Sequence, residues 1–395
     1  MPHDRPASVP PAAARRPARA RPHAWCIAAL ASCVVALAGC ASSGPVTVTA
    51  VPARADTAGV AGGTQEGART ASGWRIDTRE HVDLWLHGFA LLQDDSSLVP
   101  YFRLGYGAAL RQVRPAAGRL LDANRAQLQR RIAANANLTS AQFLALYFAS
   151  WDDLRRGVDR FIRDGGDVRA ARSQEELRMY ATLRTYFPTG EDRDWLRLFV
   201  QSLDDERQRF YRAYWLQEQQ RRASQRAAVE AMWTGTYGPA FARFMRNSMQ
   251  REGKVLLSLP LGGEGRTLSV GQRDNFVTVN FPAPGEDPLE AMYVIAHEVV
   301  GAVATAAVRD NSSAADERSG DTARWTTLSA VRGGAMLLEH VAPDLLAGYQ
   351  RYYLSLARQK PGAGDPSAAF AATFPLPSQI ATALQRQIDV VLGGI

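Results

Sequence analysis

Two adjacent ionisable residues, His297 and Glu298, lie inside the long apolar run AMYVIAHEVVGAVATAAV at positions 291–308. A second pair, Glu339 and His340, lies in the later apolar segment GGAMLLEH. An imidazole can ligate Zn²⁺, and a neighbouring carboxylate can take a proton from a water molecule bound to that ion. These four residues are therefore the candidates for metal-assisted hydrolysis.

This arrangement resembles the zinc-dependent metallopeptidases of the gluzincin type. In that family a β-hairpin or sheet edge precedes a helix bearing His-Glu-x-x-His, and a second helix supplies a glutamate ligand. The resemblance covers residues 253–345 and implies that His297 is the first zinc ligand, Glu298 the general base and Glu339 the downstream ligand. The motif is incomplete, because Gly301 stands where the second histidine belongs.

The missing histidine matters because catalytic zinc normally has three protein ligands and one open position for water. His340 would complete the set if it and Glu339, about 100° apart on a helix, straddled the ion. His81 and His87 are the other histidines of the chain beyond its first forty residues. The family chemistry also needs an oxyanion donor, for which the tyrosines of GYQRYYLSL are candidates: Tyr349, Tyr352 and Tyr353. Packing of an amphipathic helix is the alternative interpretation of these tyrosines.

A metal-free interpretation also fits these segments. Gly301 leaves a notch on its helix, and the small residues 333–335 would let a second helix approach closely. The buried histidine would then donate to a carbonyl, and Glu298 would pair with an arginine such as Arg318 or Arg332, because an unpaired buried charge is costly.

The elements that must position these residues are mainly helical. The Ser/Thr-x-x-Glu/Gln pattern that begins helices occurs at Thr139 with Gln142 and at Ser173 with Glu176. Further along, apolar residues at helical spacing form a stripe opposite charged residues, which predicts an amphipathic helix. The stripe consists of Trp195, Phe199, Leu203, Phe210 and Tyr214.

The pattern changes at Gly253, where KVLLSLPLGGEGRTLSV and NFVTVNFP bring β-branched residues and alternation. They predict a hairpin or small antiparallel sheet, with LGGEGR as its turn. Asp287 then caps the helix that carries the His-Glu pair, with Pro288 at its first position. Later helices are predicted over 323–340, 344–357 and 378–392. The predicted fold class is mainly α (α+β): a helical fold with one small antiparallel sheet before a buried His-Glu helix.

The first residues predict export and lipid anchoring. A basic start and the short apolar stretch AWCIAALASCVVALAG precede LAGC, which matches the bacterial lipobox. The resemblance implies a signal peptide at 1–39, diacylation of Cys40 and attachment to the membrane. Ala41 is not the aspartate that resembles an inner-membrane retention signal, so the expected location is the outer membrane, facing the periplasm. Residues 40–73 are predicted to be a flexible tether.

Composition excludes several classes of protein. Loss of the signal removes five arginines and one aspartate, which lowers the formal net charge from +7 to +3. Basic residues are interspersed with acidic ones, so no nucleic-acid partner is predicted. Cys40 alone remains of the three cysteines, which excludes an internal disulfide. No Gly-x-Ser-x-Gly or phosphate-binding loop is present.

Two functions follow from these observations, and oligomeric state is not indicated by any of them. The folded part divides by composition into a helical region at 74–248 and a metallopeptidase-like region at 249–395. The first function is peptide hydrolysis at a zinc site in a lipid-anchored envelope protein. The alternative is a non-catalytic envelope lipoprotein, descended from a peptidase, that binds a partner.

Overall fold

The computed structural model describes residues 73–93, 97–114, 119–269, 275–360, 362 and 364–393. Cys40, the predicted signal and nearly all of the predicted tether therefore lie outside the described residues. The strands are β1 (Trp74–Asp77), β2 (Gly253–Ser258), β3 (Arg266–Ser269) and β4 (Asn275–Asn280). The α-helices are α1 (Glu80–Leu92), α2 (Tyr106–Val113), α3 (Leu120–Ala134), α4 (Asn137–Ser140), α5 (Trp151–Arg163), α6 (Gln174–Tyr186), α7 (Gly190–Glu206), α8 (Arg212–Arg221), α9 (Ala223–Met232), α10 (Gly238–Asn247), α11 (Leu289–Arg309), α12 (Ala314–Ser319), α13 (Asp321–Val341), α14 (Pro343–Leu356), α15 (Ser367–Thr373) and α16 (Ser378–Val391). Short 3₁₀ segments span Ala141–Tyr147 and Val168–Ala170, and π-helical turns span Arg207–Tyr211 and Trp233–Tyr237.

The four strands form one sheet in the order β1-β2-β4-β3. β2 pairs in parallel with β1 and β4, whereas β3 pairs antiparallel with β4. The prediction of a mainly helical fold with one small sheet before the His-Glu helix is confirmed. The sheet is mixed, however, and not antiparallel throughout. β1 is not among the predicted strands, because its four residues are too few to show alternation.

The glycine-rich segment LGGEGR at 261–266, predicted to be a hairpin turn, is not one. It leads from β2 to β3, which are not neighbours, because β4 lies between them. The antiparallel pair is β3 with β4, where Arg266 faces Thr278 and Ser269 faces Asn275. Local alternation predicts strands but not their order in a sheet. This explains why the prediction of a hairpin turn at 261–266 is wrong.

Of the three predicted helix starts, the one at Ser173 is confirmed, the one at Thr139 is wrong, and the one at Asp287 and Pro288 is displaced by one residue, since Pro288 is the N-cap of α11. The hydroxyl of Ser173 accepts a hydrogen bond from the backbone N–H of Glu176, the residue expected at that position, and α6 begins there. Thr139, by contrast, lies inside the four-residue helix α4 and not at a start. The helix of the His-Glu pair begins at Leu289, whose N–H donates to Asp287 Oδ1 over 2.9 Å.

The helix α11 forms the centre of the second half of the fold. It lies against the sheet and against α13, α14 and α16. By length and mean hydropathy (1.6) it is the one described helix that could cross a membrane, but 78% of that window is buried inside the protein. Burial of most of the helix inside the protein explains its apolar sequence without a membrane.

The predicted stripe of the first half is largely confirmed. Trp195, Phe199 and Leu203 are buried on α7. Phe210, inside the π-helical turn, and Tyr214, on α8 after it, are partly buried. The π-helical turn could not be predicted from the spacing of the apolar residues. It adds one residue to a single turn and displaces the apolar stripe only at that point.

Candidate functional site

The His-Glu pair lies near the middle of α11, and both side chains are almost fully enclosed. The exposed fractions of the two side chains are 6% for His297 and 10% for Glu298. The imidazole Nδ1 donates to Glu298 Oε1 over 2.9 Å. This pair is therefore internal to one helix and joins two consecutive residues.

The Glu298 carboxylate also connects α11 to the sheet edge. Its Oε1 accepts a second hydrogen bond, from the backbone N–H of Gly265 over 2.9 Å. The hydroxyl of Thr267 on β3 donates to the backbone carbonyl of Glu298 over 2.9 Å. Gly265 also lets the chain pass close to β4, because a Cβ there would overlap the carbonyl of Thr278. Two contacts thus hold β3 and the residue before it on α11.

The environment of His297 favours the protonated form. Burial alone would lower the pKa of the imidazole, but the hydrogen bond and charge of Glu298, together with the charge of Glu264, raise it above its usual value. The ring is stacked on Tyr353 from α14, with centroids 5.5 Å apart. Its Nε2 is buried and has no hydrogen-bond partner in the part of the chain that the structure describes.

The notch at Gly301 is present but does not receive the small residues of α13. A Cβ built at Gly301 would meet no atom within 4 Å. Gly333 packs instead on Val300, and a Cβ at Gly334 would overlap the hydroxyl of Tyr349. Gly333 therefore lets α13 approach α11 at Val300, one residue before the notch, and Gly334 makes room for Tyr349 of α14.

The predicted downstream ligands are at the other end of α13 and are exposed. His340 Nε2 lies 3.4 Å from Asp389 Oδ1 on α16, and Glu339 is exposed beside it. Neither forms a cluster with His297 in the described part of the chain. The predicted interactions of Glu298 with Arg318 or Arg332 are also not formed, since Gly265 and His297 supply the donors.

The other candidate residues have partners elsewhere. Tyr353 donates to the carbonyl of Gly263, and Tyr349 to that of Val331, so both hydroxyls are occupied by backbone. His81 contacts the carbonyl of Phe148. His87 contacts Tyr106 and Glu206.

Gly265 and Thr267 are the site residues that sequence reasoning does not find. The nearest signal is the glycine-rich segment itself, but the contact joins residues 33 positions apart. Among the described residues, no group of three or more His, Cys, Asp or Glu side chains could hold a metal ion. The comparisons with known proteins found no matching family model, curated protein or solved structure.

Proposed function

We propose that this is a lipid-anchored envelope protein without peptidase activity, in which the His297–Glu298 pair holds β3 in position as a docking edge for an extended segment of a partner. The proposal rests chiefly on one observation, the hydrogen bond from Gly265 to Glu298 Oε1. A carboxylate oxygen that accepts both a backbone N–H and an imidazole N–H acts as a structural brace.

The position of β3 supports a docking role. It is the last strand in the order β1-β2-β4-β3, and among the described residues it pairs only with β4. Its first three residues are partly exposed, and Ser269 is exposed. The outer edge of such a strand carries backbone donors and acceptors that an added strand can pair with.

A zinc-dependent hydrolase is the second candidate, and two features of the site favour it. Within the described ranges, His297 Nε2 is buried without a hydrogen-bond partner, and no atom occupies the space beside Gly301. The described residues do not fit a zinc site, however, because Glu339 and His340 lie away from His297 and no other set of three ligands is present. We therefore assign no hydrolytic step to this site.

Zinc content and the role of Glu298 separate these two functions. We expect the purified mature chain to contain no stoichiometric zinc and to cleave no peptide. Glu298→Gln should lower the free energy of unfolding by about 1–3 kcal/mol, because the Gly265 N–H loses its charged acceptor. The matched control is Glu317→Gln on the exposed face of α12, which should leave stability unchanged. One zinc ion per wild-type chain that is lost in His297→Ala would refute the proposal.

The docking edge is tested by a photo-reactive amino acid placed at Ser269 in cells. The control carries the same group at Asp159, which is exposed on α5. We expect one discrete covalent adduct at position 269 and none at 159. Equal labelling at both positions, or no adduct at 269, would exclude β3 as the binding edge.

The anchor is tested separately, because it lies outside the described residues. Cys40→Ala should move the protein from the membrane fraction to the soluble periplasmic fraction. A variant that stays in the membrane fraction would mean that the lipobox is not what attaches the chain.

A further inference from the structure

A cleft of about 720 Å³ lies in the first half of the fold, away from the His-Glu pair. Its walls come from the end of α1, the turn that leads into α2, α2 itself and α3. This volume is in the range of pockets that hold small organic ligands. Its lining falls into a basic part and an apolar part.

The basic part contains four arginines and one aspartate. Three of the arginines are held by carboxylates: Arg103 by Glu286, and Arg114 and Arg125 by Asp122. The remaining one, Arg111, is exposed on α2 and forms no ion pair within the described part of the chain. One positive charge at the cleft is therefore not neutralised by a neighbour.

Backbone and amide donors add to this charge. The start of α2 opens into the cleft, and its N-cap is Gly105 at φ 75, which supplies no side chain to the free N–H groups. The N-terminus of a helix attracts anions through those groups and its dipole. Gln93 also lines the cleft, and its buried side-chain nitrogen has no hydrogen-bond partner among the described residues. These donors and Arg111 together call for an anionic acceptor.

The apolar part of the lining is formed by Leu91, Phe102, Leu104 and Leu110. Leu104 is 53% exposed, although a leucine at the wall of a cleft would be more stable covered. A small inorganic anion would leave this apolar surface and most of the volume in contact with water. A ligand with a hydrocarbon body would cover both.

We propose that this cleft binds an anionic amphiphile, a carboxylate or phosphate group carried on a hydrocarbon chain. The acidic group contacts Arg111 and the start of α2, and the chain lies along Leu104 and Phe102. The proposal is independent of the docking role assigned to β3, because it uses none of the same residues.

Isothermal titration calorimetry of the mature chain with four probes tests the proposal. Decanoate and decyl phosphate carry both parts of the predicted ligand, decanol carries only the chain, and inorganic phosphate only the charge. We expect saturable one-to-one binding of at least one acidic amphiphile, and binding of decanol and inorganic phosphate at least tenfold weaker. Preference for decanoate or for decyl phosphate identifies the acidic group. Equal binding of decanol, binding of inorganic phosphate alone, or no binding of any probe would overturn the proposal.

Two variants locate the binding. Arg111→Gln should weaken binding of the acidic amphiphile about tenfold and leave decanol binding unchanged. Leu104→Gln should weaken both, because it removes apolar contact. Both side chains are exposed, so neither change should unfold the protein, and the melting temperature verifies this. The matched control is Arg156→Gln on α5, whose side chain is 67% exposed. An effect of Arg156→Gln equal to that of Arg111→Gln would indicate non-specific charge attraction and refute the site.

Discussion

Single buried acids set the pH dependence of this protein, and Asp83 on α1 is the clearest case. It is 1% exposed, and burial raises the pKa of its carboxyl to about 7, against the opposing effect of the hydrogen bond from Trp215 and of the charge of Arg222. The unfolded chain releases this proton above its usual pKa of 3.8, whereas the folded chain keeps it until about 7. The folded state binds more protons in that window, so stability falls as pH rises through it and is constant above it.

The effect of Asp83→Asn on the free energy of unfolding should therefore be more favourable at pH 8 than at pH 5. The amide resembles the protonated carboxyl and cannot ionise, so the variant does not lose stability when the wild-type carboxyl would. The difference between variant and wild type should grow by at least about 1.4 kcal/mol between those pH values, the free energy of one pKa unit. Urea denaturation at both pH values measures it. Other groups that titrate in this range, such as Glu290 with a pKa raised to about 7, are the same in both proteins and cancel. A pH-independent difference would contradict the buried proton.

The two ionisable residues of the candidate site could be recognised from the sequence, but their contacts with the sheet could not. His297 and Glu298 stand out because two ionisable groups in an apolar helix need partners. The partner of the Glu298 carboxylate outside its own helix is the N–H of Gly265, which depends on the placement of β3 beside α11. The hydroxyl of Thr267 supports that placement through the backbone carbonyl of Glu298. A backbone N–H has no residue type, so no motif marks it. The pair could be predicted, but not its use as a brace.

At the scale of the element, two glycines on neighbouring helices should respond oppositely to alanine. Gly301 on α11 has open space around a new Cβ, so Gly301→Ala should raise the free energy of unfolding by about 0.5–1 kcal/mol through helix propensity. Gly334 on α13 has no such space, because a Cβ there would overlap the buried hydroxyl of Tyr349. Gly334→Ala should lower it by about 1–3 kcal/mol.

Chemical denaturation of the two alanine variants under identical conditions compares them, and each serves as the control for the other. Destabilisation by Gly301→Ala would mean that the position is occupied, for instance by a partner or ligand. A neutral Gly334→Ala would mean that α13 and Tyr349 can move apart at little cost.

Helices were predictable where a local signal specifies them, and strand order was not. Ser173 begins α6 because its capping bond is made within three residues. The Thr139 pattern is identical in type, but its segment forms α4 and a 3₁₀ turn. The parallel pairing of β2 with β4 joins segments whose order is decided by α11 and the rest of the core. Local patterns carry no information on that choice.

At the scale of the whole molecule, the two regions predicted from composition share one sheet. β1 precedes α1, yet it pairs along its whole length with β2, more than 170 positions later. The turn before α2 also contacts the segment after β2, since Arg103 N–H donates to the carbonyl of Pro260 over 2.8 Å. This segment leads to Gly265, so the cleft and the brace at Glu298 are joined by backbone.

The strand β1 should therefore hold the two regions in one cooperative unit. Trp74 is fully buried, and its indole N–H donates to the carbonyl of Gln250 over 3.0 Å. Removal of a buried tryptophan alone typically costs about 3–5 kcal/mol. A chain that begins at Glu80 loses this side chain, Ile76 and the pairing with β2. It should unfold at a clearly lower urea concentration, with separate transitions by far-UV circular dichroism and tryptophan fluorescence. A chain that begins at Gly73 is the matched control and should unfold in one transition at the midpoint of the mature protein. If the chain that begins at Glu80 keeps that midpoint, β1 is not what joins the two regions, and the contacts of the turn before α2 are sufficient.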